Sequence, residues 1–435
     1  FPKLKSKTFS FAKLRGSIAR VGNDAGFDRL INSYSYGGLF RNDMAWFQGD
    51  AVRKNPNLKP ETTISKEIGA EVRLLDGRLT ADVTYYDKYT RDQIVESELS
   101  YLSNYQRVII NSGKISNKGW EISVSGVPVK VKNFEWKTIF NWSKNNSMVE
   151  SLPEGIDKIQ IGSGVYNVKS YAEVGKPYGA IYAKTFKRDA EGYILCQLDG
   201  SPKEGQDYEY LGCVQADWRG GWNNVFRLGN FSFSVMFDFQ KGGKFFSQTS
   251  IQSSVDGQSV KSLEGRDADF FSRKILGESD EERYGFMRPQ NANTPTANGQ
   301  IYPDWGRPKG VVLPNCRYDE DVEGLAGQQV LGYCTPERYW MHYTSRDISR
   351  FIYDASYVKL REITVSYDLP KKWLRKTPFQ TFRVAAVGRN IATLFANTPH
   401  GLDPQATSTT GNAQGFERGF NLPSATYGFD IKVSF

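Results

Sequence analysis

The stretch ADWRGGWNNVFRLGNFSFSVMFDFQKGG, from Ala216 to Gly243, decides the fold. In its second half large apolar side chains alternate with mostly polar ones, the apolar set being Phe231, Phe233, Val235, Phe237 and Phe239. A period of two indicates a β-strand whose two faces meet different surroundings. The preceding residues alternate around Trp218, Trp222 and Phe226, and the short segment from Arg227 to Asn230 joins the two strands as a hairpin. Such a hairpin fits one side of a β-sandwich or the wall of a membrane β-barrel.

The connections between strands distinguish these two folds. Ten strands of this kind are predicted, at Lys7 to Gly22, Thr63 to Leu75, Leu79 to Lys88, Gly119 to Val127, Phe134 to Trp142, Trp218 to Phe226, Phe231 to Phe239, Asp354 to Leu369, Thr381 to Ala392 and Ser424 to Phe435. Short turns and long loops alternate strictly between them, as in outer-membrane barrels, whereas a sandwich has no reason to sort its loops by length. The alternation slips near Arg361, which predicts a β-bulge.

Composition excludes several classes of protein. The 435 residues contain no run of about 18 apolar residues, so transmembrane helices are not expected. The formal charge is +8, but the 56 Lys and Arg residues are scattered among 48 acidic residues. No basic helix, zinc knuckle or RNA-binding motif is present, so nucleic acid is not an expected partner.

Two long segments lack steady periodicity. The first runs from about Asn145 to Cys213, where only Tyr178 to Lys184 suggests an extra short strand. The second, from about Lys244 to Arg350, is predicted to be a long irregular loop, and a loop of that length indicates a functional role. The chain opens on Phe1-Pro-Lys-Leu-Lys without a signal peptide, so an upstream segment is expected.

The four cysteines fall into two pairs by sequence. Cys196 and Cys213 flank one polar segment, and Cys316 and Cys334 flank another. This spacing predicts two short-loop disulfides formed in an oxidising compartment, with unpaired thiols as the alternative.

Several segments together resemble one family. They are IINSGKISNKGWEISVSGVPVK (Ile109 to Lys130), GGWNNVFRLGNFSFSVMFDFQKGG (Gly220 to Gly243), DASYVKLREITVSYDLPKKWL (Asp354 to Leu374), VAAVGRNIATLF (Val384 to Phe395), the closing YGFDIKVSF and NPNLKPET (Asn55 to Thr62). As a set they look like the C-terminal part of the barrel in SusC/RagA-type TonB-dependent outer-membrane transporters.

The resemblance implies an all-β fold: the C-terminal portion of an antiparallel transmembrane β-barrel of about 22 strands, with long extracellular loops and short periplasmic turns. Residues 1–435 would supply about ten strands and a long extracellular loop at about 244–350, while the plug and the N-terminal strands would lie outside this chain. The implied location is the outer membrane of a Gram-negative bacterium. The implied partners are a SusD-like surface lipoprotein, TonB, the other barrel strands with the plug, membrane lipid, and an oligosaccharide or peptide substrate.

Aromatic and hydrogen-bonding side chains in the long loop are the predicted substrate site, because rings stack on sugars and polar groups bind hydroxyls. The alternative is that they pack the loop onto itself or contact the lipoprotein. The candidates are Tyr302, Asp304, Trp305, Arg338, Tyr339, Trp340, Tyr343 and Asp347.

Nothing in the sequence nominates catalytic residues, a metal site or a cofactor. The acidic run at Asp319, Glu320, Asp321 and Glu323 suggests at most a loop calcium ion, and it lacks EF-hand spacing. His342 and His400, the two histidines, are interpreted as surface residues. Energy-coupled import of a large nutrient, most simply an oligosaccharide, is the expected function. Competing hypotheses are a peptide importer, a surface β-protein that binds glycans without transport, and a secreted sandwich glycosidase, which would need two facing carboxylates.

Overall fold

The computed structural model describes residues 6, 8–41, 43–99, 101–111, 113–263, 311–334, 336–399, 401–406, 414–419 and 424–435. In chain order the strands are β1 (Phe9–Asn23), β2 (Tyr34–Phe40), β3 (Met44–Gly49), β4 (Val52–Arg53), β5 (Glu61–Leu74), β6 (Leu79–Arg91), β7 (Ile94–Glu98), β8 (Arg107–Asn111), β9 (Lys114–Val131), β10 (Phe134–Ser151), β11 (Lys158–Ser163), β12 (Lys169–Glu173), β13 (Ala180–Ala183), β14 (Ile194–Cys196), β15 (Glu209–Cys213), β16 (Trp218–Leu228), β17 (Phe231–Lys241), β18 (Lys244–Ser247), β19 (Val311–Tyr318), β20 (Gln329–Cys334), β21 (Ile352–Asp354), β22 (Tyr357–Asp368), β23 (Thr381–Ala396), β24 (Phe416–Glu417) and β25 (Thr426–Ser434). The helices are α1 (Gln248–Val255), α2 (Pro336–Arg338) and α3 (Lys371–Leu374), with a π-helix at Tyr339–Tyr343 and 3₁₀ turns at Tyr101–Ser103, Val260–Leu263 and Ile348–Phe351. Every helix in the described ranges falls short of the length and apolarity that crossing a membrane requires.

Ten strands form one antiparallel sheet, called the wall below. Its order is β1-β5-β6-β9-β10-β16-β17-β22-β23-β25, so neighbours in the sheet also follow one another among the wall strands of the chain. The prediction of ten such strands is confirmed, although β10 continues to Ser151 instead of ending at Trp142. Short turns follow β5, β9, β16 and β22 at one end of the wall, and long connections leave from the other, the loop end.

The wall has one apolar and one polar face. On the apolar face aromatic rings of neighbouring strands stack, as Trp222 and Phe237 do with ring centroids 5.8 Å apart. On the polar face ion pairs join the strands, as between Arg15 and Asp82 at 2.5 Å. The guanidinium of Arg15 crosses over Gly69, where a Cβ would lie only 2.6 Å from Arg15 Nε. Because side chains alternate, a slip of one residue in the register would exchange the two faces.

The bulge predicted near Arg361 is confirmed, and it determines on which face of the wall Lys359 lies. Met236 of β17 pairs with Glu362, but the next residue, Phe237, pairs with Leu360, so Arg361 is the extra residue. Without it, Lys359 would share the apolar face with Ile363. With it, Lys359 lies on the polar face, where its ammonium group contacts the Asp403 carboxylate at 2.5 Å.

The two segments predicted to be irregular are partly ordered, and those predictions are wrong for the described residues. Between β10 and β16 lies a four-stranded sheet of order β11-β12-β13-β15, of which only β13, within Tyr178 to Lys184, was predicted. Strands β18, β19 and β20 and helix α1 occupy parts of 244–350. Each of these strands has only four to eight residues, so the alternation of side chains is too brief to stand out in the sequence.

Two buried clusters hold the loop-end elements together. One packs β14, β19 and β20 against the π-helix. The other surrounds Ile181, Phe246 and Ile251 with apolar residues from β13, β18, α1 and β24. Beside it the buried carboxylate of Glu417 accepts hydrogen bonds from Ser247 Oγ at 2.6 Å and from the Thr249 backbone N–H at 3.1 Å. This carboxylate therefore fixes β24 to the start of α1.

The predicted disulfides are wrong in this structure, where all four cysteines carry thiols. Cys196 lies in β14 and Cys213 in β15, and these strands belong to different sheets. Cys316 and Cys334 share a hairpin, but Cys316 is opposite Val330 and Cys334 is opposite Val311. Cys196 instead lies beside Cys316. The hydrogen bond to Cys316 and burial raise the pKa of the Cys196 thiol, so it stays protonated.

The β19–β20 hairpin is anchored by Asp319, whose side chain is buried. Lys187 Nζ and Lys203 Nζ contact its carboxylate at 2.9 Å and 2.7 Å. Burial acts to raise the pKa of Asp319, but the hydrogen bonds from Lys203 and Lys187 outweigh it and lower the pKa to about 2. The carboxylate is therefore charged, and it ties this hairpin to the segment that contains β14.

The apolar face of the wall should not tolerate a charge if it meets lipid. Val235→Arg places a guanidinium in the middle of that face and should lower the free energy of unfolding in phospholipid bilayers by about 2–4 kcal/mol. Ser234→Arg is the matched control, because the neighbouring side chain lies on the polar face. Equal losses for the two variants would contradict the assignment of the faces.

Removing the charge of Asp319 should loosen the β19–β20 hairpin. Asp319→Asn should lower its opening free energy by about 2 kcal/mol, because two charge-assisted hydrogen bonds weaken. Hydrogen exchange of residues 311–334 at pH 7 measures this value. Asp321→Asn is the control, since the Asp321 side chain is 68% exposed and should change exchange little. An unchanged exchange rate in Asp319→Asn would show that the ion pairs do not hold the hairpin.

Lowering the pH should also loosen the β19–β20 hairpin in the unmodified chain. Because the pKa of Asp319 is lowered on folding, its contribution is complete above the unfolded value of about 4 and is lost as the pH falls through about 2. Pepsin, which is active over this range, should cleave within 311–334 faster at pH 2 than at pH 4. This difference should shrink in Asp319→Asn, and an equal difference in both proteins would assign it to other groups.

Candidate functional site

The polar face of the wall contains two neighbouring hollows. One, of ≈ 510 Å³, is lined by polar side chains that include Arg15, Glu121, Asn141, Arg219 and Asp238. The other, of ≈ 230 Å³, shares Arg219 and reaches the loop end through Gln215, Trp218 and Gln414. The two hollows form a polar path along the wall toward the loops.

A second polar surface lies on the four-stranded sheet above this path. In β12 the side chains of Ser170 and Ala172 are buried, so Lys169, Tyr171 and Glu173 point to the opposite face. The register places Lys169 beside Tyr182, and Tyr182 beside Tyr210. We call this surface the Lys–Tyr face. Its members are Lys158, Gln160, Lys169, Tyr171, Glu173, Tyr182 and Tyr210, with Lys176 and Tyr208 at its rim.

The other side of this sheet shows which way the Lys–Tyr face is turned. Ala172, on that other side, packs against Ile115 and Val149. In the register of the wall, Val149 of β10 has the parity of Asn141 and Ser143, which lie on the polar face. The sheet therefore covers the polar side of the wall at the loop end. Its Lys–Tyr face is turned away from the wall, on the same side as the hollows.

The rings of the Lys–Tyr face form a continuous group. The ring centroid of Tyr182 is 5.1 Å from that of Tyr171 and 5.7 Å from that of Tyr210. Tyr210 is 41% exposed, whereas Tyr182 is covered by its neighbours. Burial, with smaller effects from Cys213 and Glu173, raises the pKa of Tyr210, so its phenol remains a hydrogen-bond donor at neutral pH.

Lysines lie over these rings as cation–π partners. Lys158 Nζ is 5.3 Å from the ring centroids of both Tyr171 and Tyr182, and Lys169 Nζ is 4.8 Å from that of Tyr208. Lys176 contacts the carboxylate of Glu173 at 3.1 Å. Within the described residues no carboxylate pairs with Lys158 or Lys169. The arrangement offers aromatic surface, phenol hydroxyls and ammonium groups to a ligand.

The site predicted from the sequence is not assembled as a binding surface. Tyr339, Trp340 and Tyr343 are 1–3% exposed and belong to the first buried cluster, so they pack the loop onto itself. Arg338 contacts Asp199 at 2.9 Å, and the Asp347 carboxylate accepts a hydrogen bond from the Ser349 backbone N–H. These five residues are structural, which was the alternative considered above. The other candidates, Tyr302, Asp304 and Trp305, lie outside the described residues, and their role stays a prediction.

The acidic run does not converge on a cation. Asp319 is held by two lysines, and Lys203 also contacts Asp321. No group of three His, Cys, Asp or Glu side chains in the described ranges has the arrangement of a metal site. The suggested calcium ion stays a prediction. His342 is exposed, as interpreted, and His400 lies outside the described residues.

Sequence reasoning missed the Lys–Tyr face, although a signal was present. The segment KSYAE, from Lys169 to Glu173, alternates polar and small side chains with a period of two. It covers only five residues, and small Ser170 and Ala172 do not stand out as a buried face. Tyr171, Tyr182 and Tyr210 come from β12, β13 and β15, and Tyr208 directly precedes β15, so only the sheet brings these rings together.

Comparison with known proteins agrees with the fold. The family model described as TonB dependent receptor-like, beta-barrel, matches residues 8–391. TonB-dependent receptor P3 of Formosa agariphila is 25% identical over 395 residues, which are 86% of this chain and 33% of that protein. TonB-dependent receptor SusC of Bacteroides thetaiotaomicron is 29% identical over 104 residues, 24% of this chain and 10% of that protein.

Solved structures show the same architecture. The RagAB peptide transporter superposes with a TM-score of 0.66 at 17% identity, covering 99% of this chain and 42% of the matched chain. In the comparison with TonB-dependent receptor P3, the chain spans about a third of that protein's length. With the family model matched over most of its residues, the chain belongs to the TonB-dependent receptor β-barrel family.

Proposed function

We propose that this chain forms part of a TonB-dependent outer-membrane transporter that imports an oligosaccharide together with a SusD-like surface lipoprotein. Members of the family are outer-membrane proteins. In this proposal the wall completes its barrel with further strands, the lipoprotein covers the loop end, and TonB supplies the energy from the periplasm. Binding and release of the substrate require no covalent chemistry and no cofactor.

One observation supports an oligosaccharide most directly. The Lys–Tyr face places the exposed ring of Tyr210, which packs against the covered ring of Tyr182, and several hydrogen-bonding groups on the polar side of the wall, at its loop end. Sugar rings present apolar C–H faces and a rim of hydroxyls, so rings and polar side chains bind them together. The hollows below this face continue the polar path along the wall.

A peptide substrate is the alternative within the same family. The RagAB structure matched above is that of a peptide transporter, but at 17% identity the likeness shows the fold alone. Extended peptides commonly bind by adding a strand to the edge of a sheet. The Lys–Tyr face is the flat side of a sheet, which favours stacking of sugar rings.

The proposal is tested by isolating the complex from its native outer membrane in mild detergent through a tag on this chain. The other barrel segments, a surface lipoprotein and binding to an oligosaccharide pool are the expected results. Tyr210→Ala in this complex should weaken oligosaccharide binding about fivefold, because a stacking ring is lost. Tyr427→Ala, on the apolar face, is the control and should bind normally.

Three results would contradict the proposal. They are isolation of this chain without a lipoprotein, binding of peptides and no oligosaccharide, and equal binding by the Tyr210→Ala variant and the unmodified complex. The second result alone would change the substrate class and leave the transporter assignment intact.

A further inference from the structure

We propose that the Lys–Tyr face selects an acidic oligosaccharide, one that carries carboxylate or sulfate groups. This inference rests on the proposed function and names the substrate class of the same site. It follows from the charges of this face and from their partners.

The Lys–Tyr face and its rim have an excess of positive charge. They contain three lysines, Lys158, Lys169 and Lys176, and one carboxylate, Glu173, which pairs with Lys176. Lys158 and Lys169 therefore keep their charge without a carboxylate partner among the described residues. An ammonium group above a ring keeps N–H groups that point away from the ring and can donate to an anion.

Three arginines of the wall differ from Lys158 and Lys169, because each of them has a carboxylate partner. Arg15 pairs with Asp82, Arg361 with Asp238 and Arg389 with Glu362 on the polar face. These three arginines join strands through their carboxylate partners, whereas Arg219, also on the polar face, has none among the described residues. Lys158 and Lys169 have no such carboxylate within the described chain, so their ammonium groups can donate to an external anion.

The spacing of the two lysines suits a chain of several sugars. In the backbone register of β11 and β12, Lys158 lies opposite Glu173 and Lys169 lies opposite Ser163, without an ion pair between the side chains of Lys158 and Glu173. The two lysines are thus four positions apart along β12, about 13 Å at roughly 3.3 Å per residue. The ring of Tyr171 lies between them on the same strand. The Lys158 ammonium lies over that ring and the Lys169 ammonium lies over Tyr208, so a short oligosaccharide reaches both cations better than a single sugar.

Arg219 is a further cation on the polar path, in a hollow that also contains the carboxylates of Asp82, Glu121 and Asp238. It lines both hollows on the polar face. Its guanidinium donates to Gln240 Oε1 at 3.0 Å, and no carboxylate pairs with it among the described residues.

The test uses the full transporter with its lipoprotein, purified in detergent. Two matched probe pairs are oligogalacturonate with its methyl ester, and a carrageenan oligosaccharide with its desulfated form. The acidic member of at least one pair should bind about tenfold more tightly than its neutral form, because charge-assisted hydrogen bonds are added. This preference should weaken as salt rises from about 0.05 M to about 0.3 M.

Variants test whether Lys158 and Lys169 cause the preference for the acidic probe. Lys158→Gln with Lys169→Gln should weaken binding of the acidic probe about tenfold and leave its neutral partner unchanged. Lys132→Gln, an exposed lysine in the turn between β9 and β10, is the control and should change neither. The lipoprotein should co-purify with all three forms, which shows that the loop end is still folded.

The outcomes separate this inference from the proposed function. Equal binding of acidic and neutral probes, or no binding of any acidic probe, overturns the acidic preference, while loss of neutral binding in Tyr210→Ala would still support the oligosaccharide. Tighter binding of acidic peptides than of acidic sugars overturns both statements about the substrate. Release of the lipoprotein by the lysine variants would make the Lys–Tyr face a protein interface and also overturns the inference.

Discussion

Within a bilayer every backbone N–H and C=O group needs a partner inside the protein, and the wall depends on this constraint. Each of its strands is paired in antiparallel register, so side chains are forced to alternate between the two faces. Lipid and water then impose opposite demands on neighbouring residues. Aromatic rings fill one face, and ion pairs such as that of Arg15 with Asp82 fill the other. The bulge at Arg361 shows how strict this is, because one extra residue keeps Lys359 off the apolar face.

The same constraint explains what could be predicted. The ten wall strands were found from the sequence because alternation over about nine or more residues needs no knowledge of distant contacts. The ends of the strands were predicted less accurately. Past Trp142, where the predicted strand ends, β10 continues with polar residues on both of its faces. The bulge was visible because the apolar period slips at a single residue, Arg361, within an otherwise regular strand.

Loop-end structure follows other rules, and there sequence reasoning failed. Strands β14 and β19 pair in parallel although more than a hundred residues separate them, so spacing along the chain says nothing about their contact. For this reason Cys196 lies beside Cys316 and not beside its nearer neighbour Cys213. Likewise Tyr339, Trp340 and Tyr343 have the composition of a sugar site but supply the core that short strands need. Aromatic composition alone cannot separate a buried ring from a binding ring, because both uses exploit the same apolar surface.

Residues of the wall and of the loops meet different structural demands, and these demands determine where selectivity for a ligand can arise. A wall residue must satisfy lipid or match a charge across the strands, so most substitutions there carry a stability cost. The sheet β11-β12-β13-β15 needs only one buried face, and its small residues Ser170 and Ala172 supply part of it. The opposite face can therefore change its rings and charges without disturbing the wall. Unmatched cations such as Lys158 and Lys169 are tolerated because solvent reaches them, and solvent access is also what a ligand requires. In the proposed transporter, selection among substrates would thus act on the Lys–Tyr face, while the wall keeps its alternation.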